Sequence, residues 1–83
     1  MKYIVTSLNG AELIFTFPQS IDHDRMWEGI SATRFGSEQH WERRLRSCEV
    51  ISAGFVSDGV CHGHSETLQV SSRGAIDAEL LRA

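Results

Sequence analysis

The sequence predicts an α+β domain: an antiparallel β-sheet from two hairpins, about residues 1–17 and 48–70, with one or two helices between them and a short C-terminal helix. Three observations carry this. Asn9-Gly10 sits between two runs of alternating apolar residues, the strongest short-range hairpin signal. Ser57-Asp58-Gly59 separates two further β-rich runs, and residues 22–33 place Met26, Trp27 and Ile30 on one stripe of a helix. Eighty-three residues suffice for a single domain with one core, burying about 60–65% of the unfolded surface, a size at which dimerisation would add stability.

In the first hairpin, pairing Leu8 with Ala11 aligns Thr6 with Leu13 and Ile4 with Phe15. One face then carries Ile4, Leu8, Leu13, Phe15 and Phe17 and is expected to form the main core. The opposite face carries Tyr3, Val5, Ile14 and Thr16, more apolar than solvent contact requires. Tyr3 and Ile14 are therefore candidates for a face covered by a partner.

Pro18 ends the second strand, and Ser20 or Asp22 can cap the helix over 22–33. Asp22 and Asp24 suit the positive end of its dipole, whereas Gly29 weakens it by about 1 kcal/mol relative to alanine. Residues 37–46 have two readings. Ser37 can cap a helix with Trp41 and Leu45 on one face, or Trp41, Arg43 and Leu45 alternate in an extended segment leading into the next strand.

For the second hairpin, a three-residue loop ending at Gly59 places Val56 opposite Val60, Phe55 beside Cys61, Gly54 beside His62 and Ser52 beside His64. Ile51, Ala53 and Phe55 then share an apolar face with Cys61. A two-residue loop on Asp58-Gly59 would set His62 against Phe55 and mix polar with apolar residues, which a half-buried sheet disfavours. Leu68 and Val70 share parity with the histidines, so a bulge or strand break is expected near Ser65-Glu66. Ser71 or Ser72 can cap a final helix over 74–81, with Ile76 and Leu80 facing the sheet. The helices are expected on one face of the sheet.

The net charge of −3 disfavours nonspecific binding to nucleic acid by phosphate neutralisation. No apolar run approaches the ~20 residues of a membrane span, and Met1-Lys2 leads straight into a strand pattern without a signal peptide. The expectation is a soluble cytoplasmic protein. Cys48 and Cys61 fall far apart in the hairpin register, roughly 23 Å at ~3.3 Å per residue, and are expected as reduced thiols.

His62 and His64 are the sharpest chemical pair. Two residues apart on a strand, they would project from one face and could share a metal ion, with the alternative a solvated polar strand face lacking further ligands. No cofactor is implied. Cys61 has His62 adjacent in sequence but projecting oppositely, and no glycine-rich phosphate loop, Ser-His-Asp signature or paired carboxylates stand out, so the chain reads as non-enzymatic. Arg43, Arg44 and Arg46 beside Trp41 are the basic cluster, suited to a protein interface or to phosphates and a stacked base. The neighbouring Glu38, Glu42 and Glu49 dilute its charge and favour the protein partner.

The opening Met1-Lys2-Tyr3-Ile4-Val5, the runs Phe15-Thr16-Phe17-Pro18 and Ser52-Ala53-Gly54-Phe55, and Gly63-His64-Ser65-Glu66-Thr67-Leu68 before Ser71-Ser72-Arg73 resemble a group of small phage and prophage proteins. The resemblance spans most of the chain. It implies a host-cytoplasm setting and a small accessory role, with a host or phage protein, or a second copy in a homodimer, as the partner.

Overall fold

A computed structural model describes residues 1–8, 10–35 and 48–82 of the chain. β1 (Lys2–Leu8) and β2 (Ala11–Phe17) form the first hairpin with Leu8 opposite Ala11, Thr6 opposite Leu13 and Ile4 opposite Phe15. Gly10 takes φ +83°, a conformation that costs glycine nothing. After Pro18, α1 (His23–Phe35) begins where the aspartates start a first turn. β3 (Cys48–Ser57) and β4 (Val60–His62) complete a four-stranded antiparallel sheet in the order β2-β1-β3-β4. β5 (His64–Ser65) and β6 (Val70–Ser71) pair in a small second sheet, and α2 (Ala75–Arg82) follows. The fold is α+β. No helix among the described residues is long and apolar enough to cross a membrane.

The helices do not share a face of the sheet, as expected above, but lie on opposite ones. Ile4, Phe17 and Ala53 pack with Ile30, Met26 and Trp27 of α1, whereas Tyr3, Val5 and Cys61 pack with Ala78, Leu80 and Leu81 of α2. β1 is consequently buried on both sides, with Tyr3, Ile4 and Val5 all at 0% exposure. Its unbroken apolar run is the pattern of a strand covered on two faces.

This double cover explains two further corrections. The second hairpin pairs Phe55 with His62, Val56 with Cys61 and Ser57 with Val60, so its loop has two residues and not three. Asp58 and Gly59 both take positive φ, 50° and 77°, the turn whose twist matches the flanking strands. The longer loop follows from assuming one polar face, and with both faces covered that assumption fails. Between Val5 and Thr6 the β1–β3 register slips from Ser52 to Val50, inserting Ile51 as an extra residue. Val50 thereby joins the α1 core and Ile51 the α2 core, so Ile51 does not share a face with Ala53.

The strand break comes at Gly63, two residues before the expected point, with φ +80°. The chain leaves the main sheet there, so the second hairpin closes at His62 and not near Val70. A Cβ at Gly63 would lie 2.9 Å from the Phe55 ring, which needs that space. In α2 the rotation also differs from expectation. Ile76 is 58% exposed and Asp77 is wholly buried.

Candidate functional site

Gly63 separates His62 and His64, the two candidate metal ligands. His62 ends β4 with its ring stacked on Phe55, centroids 6.1 Å apart and planes inclined by 22°. His64 begins β5, its Nε2 3.8 Å from Glu66 Oε1, with both side chains exposed. Among the described residues, no three His, Cys, Asp or Glu side chains gather in a group that could hold a metal ion. The face assigned to a partner is covered by the chain itself: Tyr3 is fully buried and the half-buried Ile14 packs against the same core under α2. Trp41, Arg43, Arg44 and Arg46, and the helix-or-strand question over 37–46, lie outside the described residues.

Beside this turn a cleft of about 320 Å³ is lined by Lys2, Asp22, His23, Phe55, His64, Glu66 and Thr67. Several of its polar groups are already committed. Lys2 Nζ donates to the Ile21 carbonyl at 3.0 Å and lies 3.8 Å from Asp22. His23, 5% exposed at the first position of α1, bonds the Gly54 carbonyl through Nε2 at 3.0 Å. A carbonyl only accepts, so Nε2 carries the proton. The ring stands edge-on between Phe17 and Phe55, centroids 5.4 and 5.9 Å away, which fixes α1 to the sheet.

The strongest polar constellation centres on Asp77, which the sequence reading passed over. Tyr3 Oη donates to Oδ2 at 2.5 Å, and Ser52 Oγ donates to Oδ1 at 2.9 Å. Arg73 adds its backbone N–H to Oδ2 and its Nε to Oδ1, each at 2.9 Å. Since the single phenolic proton goes to the carboxylate, the Ser72 hydroxyl, 2.6 Å away, donates to Tyr3 while accepting from Gly74 N–H. The guanidinium reaches on to Glu12 of β2 at 2.9 Å. One carboxylate thus ties α2 to β1 and β3 and, through Arg73, to β2.

Burial alone pushes the Asp77 carboxyl up, but the bonds from Tyr3, the Arg73 N–H, Ser52 and the guanidinium together hold it below its ordinary value. Burial pushes the Tyr3 phenol well above its ordinary value, and its bond to Asp77 adds to this. Burial likewise raises the free Cys61 thiol, with the Asp77 charge contributing, which keeps it in its unreactive form. Asp77 is 0% exposed, so its carboxylate meets only protein groups and acts by positioning α2. A signal was present in the sequence: an acidic residue at the third position of a helix can reach back to a backbone N–H before it, as Asp77 does to Arg73.

The remaining feature is the outer side of β2, at the end of the sheet. Met1 and Val56 exchange backbone hydrogen bonds, 2.8 and 3.2 Å, so odd-numbered residues of β1 bond β3 and even-numbered ones bond β2. Their partners Ala11, Leu13, Phe15 and Phe17 point inward. Glu12, Ile14 and Thr16 therefore direct N–H and C=O away from the sheet, and no strand among the described residues pairs with them. The opposite edge, β4, has three residues against the seven of β2.

No protein-family model, curated protein or solved structure matches this chain.

Proposed function

We propose that the protein is a small non-enzymatic accessory protein that works by binding other protein chains, in the host-cytoplasm setting that its likeness to small phage and prophage proteins implies. The supporting observation is the outer edge of β2, with which no strand among the described residues pairs. An extended segment added there would gain backbone hydrogen bonds from Glu12, Ile14 and Thr16, and side-chain contacts from the half-buried Leu13, Ile14 and Phe15. Natural sheets blunt such edges with lysine, proline or a bulge, and β2 contains no lysine or proline. The chains within reach would be host or phage proteins, further copies of this one included. The net charge of −3 supports a protein over a nucleic-acid partner.

Thr16→Pro tests this reading. Thr16 is exposed and its N–H points outward, so proline deletes an edge donor without breaking a bond to β1. Self-association by sedimentation and retention of chains from host lysate should both be compared between the native protein and this variant. We expect association to weaken roughly five-fold or more. Equal association by the two proteins, or none by either, would refute the proposal.

A further inference from the structure

We infer that the strand added to β2 is β2 of a second copy, paired antiparallel about a two-fold axis through Ile14. This deepens the proposal above and rests on its reading of the β2 edge.

The register follows from which groups point outward. Antiparallel partners exchange bonds between residues whose N–H and C=O face the same gap, and on each copy these are Glu12, Ile14 and Thr16. A closed two-fold pairing that uses all three sets Ile14 opposite Ile14, and Glu12 of each copy opposite Thr16 of the other. About six inter-chain hydrogen bonds result, joining the two four-stranded sheets into one. Sliding one strand along the other by one residue would oppose outward with inward-bonded groups, and sliding it by two, which moves the axis to Leu13 or Phe15, would leave one outward residue of each copy unmatched.

Side chains and charges agree with this register. Symmetric pairing keeps residue parity, so Leu13 of one copy lies beside Phe15 of the other on the α1 side, while the two Ile14 residues meet on the α2 side. The strand carries one charge, Glu12, and the register places it against the neutral Thr16, not against its own symmetry mate. Arg73 already bridges Glu12 to Asp77 within each copy, so this guanidinium is not left unmatched at the junction to attract an acidic partner. A strand whose single charge is already paired by Arg73 of its own copy, with apolar residues at its centre, suits a copy of itself, an isologous contact that closes on pairing.

The experiment is sedimentation velocity of the full chain over a concentration series, with a charge series at Thr16, an exposed position, and circular dichroism to show that each variant is folded. The native protein should dimerise. Thr16→Glu would set two like-charge pairs across the seam and weaken the dimer roughly ten-fold, whereas Thr16→Lys would set two opposite-charge pairs and tighten it several-fold. Opposite responses from two folded variants identify this register. A native protein that stays monomeric, or a dimer indifferent to both substitutions, overturns the inference. A monomer whose captured lysate partner is lost in Thr16→Pro rejects self-pairing but keeps the edge as a binding site. A monomer whose capture is unchanged in Thr16→Pro rejects both.

Discussion

On the α1 side of the sheet, Ile4, Phe17, Ile30 and Ala53 close mainly by apolar contact, with His23 held edge-on between two phenylalanines. On the α2 side, Tyr3, Val5, Cys61 and Ala78 close around a buried carboxylate with four protein donors. The same strand, β1, supplies alternate residues to both. The difference reflects helix length: α1 has thirteen residues with which to cover its face, and α2 has eight. A short helix buries little area, so directional bonds at its first turn set where it docks. Apolar area is tolerant of small shifts, whereas a fully bonded carboxylate admits one placement.

Asp77→Ala is the largest expected break in that comparison. It strands the buried hydroxyls of Tyr3 and Ser52 and removes an anion from Arg73, at a cost of about 3 kcal/mol in chemical denaturation. The cost should depend on pH. Because the folded Asp77 value lies below the ordinary 3.8, its contribution is complete above about pH 4 and is lost as pH falls below that. The native protein and Asp77→Ala should therefore converge in stability under acid, and a constant gap from pH 7 to pH 2 would show that the carboxylate's charge is not what holds α2.

Ile30→Ala probes the opposite face. It should cost about 2–3 kcal/mol, the usual penalty for emptying a buried aliphatic site, and the same at every pH between 4 and 9. A pH-dependent loss there would mean that the two faces are not distinct in kind.

Tyr3→Phe sharpens the comparison by removing one bond to the carboxylate, for about 1.5–2 kcal/mol. The folded phenol titrates well above the ordinary 10.0, so its contribution is complete below pH 10 and is lost as pH rises beyond it. Native stability should decline above pH 10 more steeply than that of Tyr3→Phe. Parallel curves would remove the phenol from the account.

The smallest effect reports on opening of α2. Cys61 is 5% exposed beneath that helix, and peptide mapping after thiol labelling should find it protected in the native protein. Labelling should accelerate in Asp77→Ala more than in an Ile30→Ala protein of equal global stability. Equal rates would indicate that α2 opens only with the whole fold.

Hairpin register illustrates how far the chain can be read directly. The pairing of Leu8 with Ala11 was legible because the Asn9-Gly10 dipeptide and a period of two agree with each other. The start of α1 was legible from Pro18 and the aspartates. The second loop was misread by one residue, although Asp58-Gly59 is itself a two-residue turn signal, because the choice rested on how many faces of the sheet are wet. His62 and His64 part at Gly63, whose positive φ takes the chain out of the main sheet and whose missing Cβ leaves room for the Phe55 ring, a break that the period-two pattern does not reveal. Tyr3 lies fully buried under α2 of its own chain, and the half-buried Ile14 packs against the same core.

Residue patterns alone disclose the α+β class, the first hairpin with its register, a helix after Pro18 and a C-terminal helix. These are consequences of short-range sterics: turn dihedrals, side-chain alternation and caps act over a few residues and do not depend on distant packing. Long-range packing sets the two helices on opposite faces, bulges Ile51, buries Asp77 while exposing Ile76, and leaves β2 at an edge of the sheet formed by the described residues. Each of those depends on contacts between residues far apart in the chain, such as Tyr3 with Asp77 and Val5 with Ser52. A short stretch of sequence records what a residue can do locally, and its distant neighbours settle which of those options is used.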